Sequence, residues 1–588
     1  MKARRCVLMS RIHFDEKHIY IDGAPTKIMS GAMHYFRIHP AYWRDRLIKL
    51  KEMGCNCVET YLAWNLHEKN EGEFDFSGWL DFGAYLDLAK ELGLYAIVRP
   101  GPYICSEFDL GGLPWWLLRY DGIALRTSQP LFLEKITPFL KRACEMLAPR
   151  MIDAGGNVIF VQVENEYGSY GNDKAYLNYL KNIIQEAGVS CPLITSDGAQ
   201  GVLLGGGGLP DVMASVNYRK ESKEALSFLK GERKEQPGAV MELWNGRAQH
   251  WGKPIPPRDV DEVALSVETA LEHAELVNLY MFHGGTTFGF MNGMDHPGAI
   301  HMTSYDVDAP LDEYGRRTKK YYAEQRVIAK ALGKAIQNTA EDTVLFTYGE
   351  AEACGTARID KDQVTGTQSS PVPLSMEMCG QGYGYIAYET EICLNGEGDA
   401  ILLPAANDMA HVYLNGEYVK SVWREDAERE IPLSGEGIAR ISVFVENLGH
   451  CNFGPQMSEK KGLLGALTHV YRKNGYICAK PMLMGYRMYP IPLVCLPSRY
   501  EDTPKLGAPA FYRYRFYATE AHDTCLHPRG FTRGVAFING FNLGRHWTIE
   551  PSPNKLFVPA PFIKEGWNEI VVFDALATGG EKRVFLEE

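Results

Sequence analysis

The chain has 588 residues, 45% hydrophobic and 23% charged, with a formal net charge of −12. That length exceeds one hydrophobic core, so two to four domains are expected, and the acidic balance argues against a nucleic-acid partner, which would call for a basic face. No window reaches the ~18 consecutive apolar residues of a membrane span, and the run Val7-Leu8-Met9 is too short for the apolar core of a secretory signal. Thirteen cysteines without repeated spacing, and Cys55-x-Cys57 without a second pair, read as mostly buried thiols of a cytoplasmic protein and not as a zinc site.

An opening hairpin is expected at His18–Ala24, where Asp22-Gly23 sits between extended segments. Ile28–Met33 follows, then a helix from about Tyr42 with Trp43, Leu47, Leu50 and Met53 on one face. Strand and helix then alternate: Asn56–Tyr61, a helix from Trp79 to Leu88, Leu94–Arg99, a helix from Leu131 to Leu147, Val158–Val163, and a helix from Ala175 to Glu186. Pro192–Thr195, Val212–Val216, Ala239–Glu242 and Leu276–Phe282 read as further strands, and Lys223–Leu229, Asp261–Ala274 and Lys319–Leu332 as helices. Eight strands, most followed by a helix, predict a closed (β/α)8 TIM barrel over residues 1–335 and not an open doubly wound sheet. Gly205–Gly208 lacks the Lys-Ser/Thr of a phosphate loop and reads as a flexible loop.

Beyond residue 335 the helical period gives way to short strands bounded by Gly, Pro and Asn. His411-Val-Tyr-Leu-Asn-Gly416 and Val535-Ala-Phe-Ile-Asn-Gly540 resemble each other, and each leads to a returning strand, at Ala439–Asn447 and Asn568–Asp574. Two β-sandwich domains are predicted, at 336–485 and 486–588, with scaffolding as their default role.

Val158-Ile-Phe-Val-Gln-Val-Glu-Asn-Glu-Tyr167 is a buried strand that delivers Glu164, Asn165 and Glu166 at its C-terminal end, where barrel chemistry resides. Any one glutamate could be a satisfied structural residue; the group favours function. Other strand ends bring Glu59, Tyr61, Glu107, Glu242 and Tyr305, with Trp64, Trp115, Trp116, Trp244 and Trp251 among them. Carboxylates and indoles without clustered His or Cys suit a neutral polyhydroxy substrate, so a small carbohydrate is expected, with no cofactor and no metal. Glycoside hydrolysis needs an acid and a carboxylate on opposite sides of the anomeric carbon, and Glu166 and Glu242 supply them from the fourth and seventh strands. Asn165 would hold the sugar 2-hydroxyl.

Gln162-Val-Glu-Asn-Glu-Tyr-Gly-Ser169 resembles the signature of glycoside hydrolase family 35, the β-galactosidases, of bacterial type. Glu59–Glu68, Arg99–Glu107, Gly111–Trp116, Glu242–Gly246 with His250-Trp-Gly252, and Thr303–Asp306 are similar to its other blocks in order, and Glu446–Gly449 and Asn452–Gly454 extend the resemblance into the first β unit. The resemblance implies an exo-acting, retaining enzyme on a TIM barrel followed by jelly-roll, galactose-binding-like β-sandwiches. It also implies Glu166 as acid/base, Glu242 as nucleophile, and Tyr61, the Ser106 backbone, Glu107, Asn165 and Tyr305 around the sugar; Trp244 is grouped with these. A homodimer follows only by analogy with bacterial relatives.

Three departures stand out. Val307 replaces a tyrosine that donates to the sugar in the family, and Phe290 stands where a related tyrosine is usual; Arg247 occupies a position often aromatic near the leaving group. These leave open a β-glucosidase or transglycosylase with the same carboxylates, and, from another class, an inactive carbohydrate-binding barrel.

Overall fold

A computed structural model describes residues 10–396 and 398–588, so the apolar run at residues 7–9 lies outside them. Three short strands open the described chain at Ile12–Phe14, Ile19–Ile21 and Ala24–Pro25, and the predicted turn holds Asp22 and Gly23 at positive φ.

Eight parallel strands then close a barrel: β1 (Ile28–Met33), β2 (Cys57–Tyr61), β3 (Tyr95–Arg99), β4 (Val158–Gln162), β5 (Leu193–Gly198), β6 (Met213–Tyr218), β7 (Ala239–Trp244) and β8 (Leu276–His283), with β8 pairing back to β1. Strands β2 and β4 are buried at every residue, which is why their apolar runs do not alternate. Helices clothe the barrel, among them α1 (Pro40–Glu52), α2 (Phe82–Glu91), α3 (Pro130–Leu147), α4 (Lys174–Glu186), α5 (Gly201–Gly207), α6 (Ser222–Glu232), α7 (Val260–His273) and α8 (Lys319–Leu332). α3 begins at a proline, where the missing N–H costs no helical bond, and buries Phe132, Ile136, Phe139, Leu140 and Leu147. Among the described residues no helix is long and apolar enough to cross a membrane.

The glycine run is not the loop expected: Gly205–Gly207 end helix α5. Glycine is a poor helix former, but close packing overrides propensity here, because a Cβ on Gly207 would lie 2.0 Å from the Asp197 carboxylate.

The two β units do not follow the boundaries at 336–485 and 486–588. Strand Glu352–Arg358 pairs with Ala510–Ala518 in the sheet of the C-terminal unit, and Tyr486–Ile491 pairs with Tyr385–Asn395 in the six-stranded sheet of the other. The chain starts the C-terminal sandwich, leaves to build the first, and returns. Each sandwich carries one of the two related hairpins, turning at Asn415-Gly416 and at Asn539-Gly540 with all four residues at positive φ. Phe290, Tyr385, Phe444, Phe511 and Phe573 form an apolar cluster where the barrel loops and both sandwiches meet.

A buried charged link ties the first sandwich to the barrel. His450 places Nδ1 3.0 Å from Asp109 of the loop after β3, and Nε2 3.0 Å from Glu377. Burial pulls the imidazole down, but the two carboxylates outweigh it and raise its pKa to about 9. Two residues on, the Asn452 amide donates to Asp295 at 3.3 Å on the wall of the barrel mouth.

Candidate active site

A cavity of about 190 Å³ opens at the C-terminal end of the barrel, lined by all eight expected residues: Tyr61, Ser106, Glu107, Asn165, Glu166, Glu242, Trp244 and Tyr305. Glu242, on β7, accepts from Arg99 at 2.6 Å, from the Tyr61 hydroxyl at 3.1 Å and from the Trp244 indole at 2.9 Å. Arg99 is wholly buried, and its charge compensates the carboxylate in a region without bulk water. Asn165 directs its carbonyl oxygen toward Arg99, Gln162 (3.1 Å) and Tyr61 (3.2 Å), so three donors fix which way the amide points. Its NH2 group donates to no described protein group and is free for a ligand.

The two glutamates that flank Asn165 have opposite environments. Glu164 is locked by a bidentate pair with Arg126 at 2.9 and 2.8 Å and by the Tyr176 hydroxyl at 3.0 Å, all out of the cavity. Glu166 lines the cavity, and its one side-chain donor is Asn217 of β6 at 2.9 Å. Burial, and after it the charge of Glu242, raise the Glu166 pKa to about 7 against the pull of Asn217. One carboxyl can therefore hold a proton near neutrality beside another whose charge Arg99 balances, the division of labour that acid and nucleophile require.

On the opposite wall Glu107 accepts a short hydrogen bond from Tyr305, and burial raises its pKa. Cys105, Ser106 and Glu107 all have positive φ, an arrangement held by Arg37, which donates to the Ser106 hydroxyl at 2.6 Å and also to its carbonyl. Arg99 thus pairs with Glu242 and not with Glu107. Glu59 sits behind the site with a carboxylate oxygen 3.8 Å from Arg99.

Of the five tryptophans, only Trp244 reaches the cavity. Trp64 and Trp116 are buried and donate to Glu68, at 2.6 Å to its carboxylate and 3.0 Å to its carbonyl; Trp115 is also buried, and Trp251 packs with Met294 and Leu448. Val307 lines the cavity. Phe290 does not: it packs on Tyr385 at a centroid distance of 6.4 Å.

Arg99, Asn217 and Tyr280 were not singled out as site residues by sequence reasoning. Each sits near the C-terminal end of a barrel strand, and that position was the available signal. One cluster among the described residues brings possible metal ligands together: Asp295 accepts from His250 at 3.0 Å and His301 at 2.9 Å on the cavity rim. Each imidazole is satisfied at that nitrogen by the carboxylate, so hydrogen bonding accounts for the geometry.

The sequence matches the model of glycosyl hydrolases family 35 over residues 18–331, and β-galactosidase all-beta and galactose-binding domain models over 373–490 and 509–568. It is 36% identical over 575 residues to human "Beta-galactosidase-1-like protein 2", covering 94% of this chain and 87% of that one. It is 39% identical over 546 residues to the β-galactosidase of Xanthomonas manihotis (90% and 88% covered), and 33% identical over 599 residues to that of Bos taurus (96% and 90%). With a family match across the barrel and relatives aligned over nearly the whole length, the chain belongs to family 35 of the glycosyl hydrolases.

Proposed function

We propose that the protein is a retaining exo-β-galactosidase that removes terminal non-reducing galactose from small oligosaccharides by double displacement. The observation that carries this reading is the pairing of Glu166, with its pKa near 7, and Glu242, held by Arg99, in one cavity. Glu166 protonates the glycosidic oxygen as Glu242 attacks the anomeric carbon, which breaks the bond to the aglycone and forms a glycosyl ester. Esterification removes the Glu242 charge, one of the causes that raise the Glu166 pKa, so Glu166, its proton already given to the leaving group, stays an ionised carboxylate placed to take a proton from the incoming water. Asn165 donates its free NH2 to the 2-hydroxyl, while Glu107, the Ser106 backbone and Tyr305 bind hydroxyls of the far side of the ring. Trp244 keeps the second Glu242 oxygen in place.

Val307 favours a second reading at the level of the sugar alone: the tyrosine hydroxyl of the family is missing here, which opens the pocket to a β-glucoside or to transfer onto a sugar acceptor. Twelve free cysteines among the described residues support a cytoplasmic location. The test is hydrolysis of p-nitrophenyl β-galactoside and β-glucoside, with and without acceptor, by the native protein and by Glu242→Gly with azide. Galactoside cleavage, and an α-galactosyl azide from the variant, support the reading; a β-azide or no rescue overturns the nucleophile, and glucoside preference overturns the sugar.

A further inference from the structure

Among the described residues, two arginines near the barrel mouth form no salt bridge, in a chain whose net charge is −12. Arg219 directly follows β6, where Tyr218 stands in register with Leu243 of β7, and it lies near enough to Arg247 for the two like charges to interact. It comes two residues after Asn217, the donor to Glu166. Arg247 lines the cavity itself and is exposed.

The charges around them are already engaged. Arg258 donates to the Trp244 carbonyl and pairs with Glu262, which also pairs with Lys220 at 3.0 Å; Asp308 is taken by Lys320. Among the described residues Arg219 and Arg247 have neither a salt bridge nor a side-chain hydrogen bond, and the Arg219 Nε is buried without a partner. Burial, and then the charges of Arg258 and Arg247, lower the Arg219 pKa against the weaker opposing pull of Glu262 and Asp308. A partly desolvated guanidinium among like charges is unfavourable until an anion arrives, and its planar fork matches a carboxylate or sulfate. A bare surface arginine would need no such explanation, but its Nε would be in water.

Resting on the β-galactosidase reading above, we infer that Arg219 and Arg247 form an anion-binding leaving-group subsite, so that the preferred substrates are β-galactosides whose aglycone sugar carries a carboxylate or a sulfate ester. The test compares kcat/KM for lactose, for the disaccharide with glucuronic acid in place of glucose, and for lactose sulfated on the primary hydroxyl of its glucose, at low and high salt. The expected result is a preference for an anionic substrate of about tenfold or more at low salt, shrinking as salt rises. In Arg219→Gln and Arg247→Gln the ratio of anionic to neutral kcat/KM falls toward parity. Preference for only one of the two anions supports the subsite and names its group. Equal use of lactose and both anionic substrates by the native enzyme overturns it, as does a preference insensitive to salt; the salt series needs no variant to fold. Failure to cleave any of the three overturns the galactosidase reading and this inference together, whereas cleavage of lactose without anion preference overturns this inference alone.

Discussion

Replacing Asn217 by leucine should move the basic limb of the pH profile upward. Glu166 must be protonated to act as acid, so kcat/KM falls as pH rises through its pKa of about 7. Asn217 donates to the carboxylate at 2.9 Å and so favours the ionised form. A hydrogen bond to a charged group contributes about 1.5–3 kcal/mol and one pKa unit is about 1.4 kcal/mol, so its loss raises the pKa by roughly 1–2 units. Leucine fills a similar volume, at the cost of leaving the Ser196 hydroxyl, which donates to Asn217 at 2.6 Å, without that acceptor. The assay is kcat/KM on p-nitrophenyl β-galactoside from acid to alkaline pH, a profile that reports the free enzyme. A limb that stays in place, or shifts toward acid, would show that Glu166 is not the group whose protonation limits the reaction.

Glu164→Gln and Glu166→Gln, two residues apart, should separate structure from chemistry. The first breaks the buried pair with Arg126 and lowers stability by about 3–5 kcal/mol, whereas the second removes turnover with no loss of Tm, as denaturation and steady-state rates will report. His450→Leu leaves Asp109 and Glu377 buried without their cation and should cost about 3–5 kcal/mol at neutral pH. The raised His450 pKa means that its native contribution is complete below about pH 6.5 and disappears as pH rises through about 9; a Tm deficit in the variant that does not shrink over that window would refute the link. Burial raises Glu59 to about pH 8, so the folded state holds a proton that the unfolded state has released, and stability falls as pH rises from about 4.5 through 8. Glu59→Gln should flatten that part of the Tm curve, and an unchanged slope would count against it.

The barrel was legible because several strands, Val158–Gln162 above all, are short apolar runs buried on both faces, a pattern that needs no knowledge of its neighbours. The two carboxylates that meet in the cavity, Glu166 and Glu242, were legible for the related reason that carboxylates ending such runs have few structural uses. Arg99 and Asn217 were harder, since their roles arise only when β3 meets β7 and β6 meets β4 across the mouth. The tryptophans show the converse: Trp64, Trp115 and Trp116 lie in motifs near strand ends, yet bury in the core because indole area favours it. In the second half, Asn-Gly turns marked both hairpins. What turns cannot mark is pairing between distant segments, and the strand at 352–358 reaches its partner at 510–518 across an entire inserted sandwich.

Backbone strain gives the sandwiches a reason to be there. Of the non-glycine residues with positive φ, Cys105, Ser106, Glu107, Leu110, Arg126, Glu164, Glu166, Val307 and Asp308 lie in the segments around the barrel mouth. Each such residue costs about 1–3 kcal/mol and persists only where its surroundings dictate it. The surroundings here are partly outside the barrel. Asp109, just past the left-handed run, is gripped by His450; Tyr103 donates to the Asn452 carbonyl at 2.7 Å; and Arg545 of the C-terminal sandwich donates to the Phe290 carbonyl at 3.3 Å and the Asn447 carbonyl at 3.1 Å. The first sandwich thus braces the segments on either side of Ser106 and Glu107, whose own conformation Arg37 holds from within the barrel.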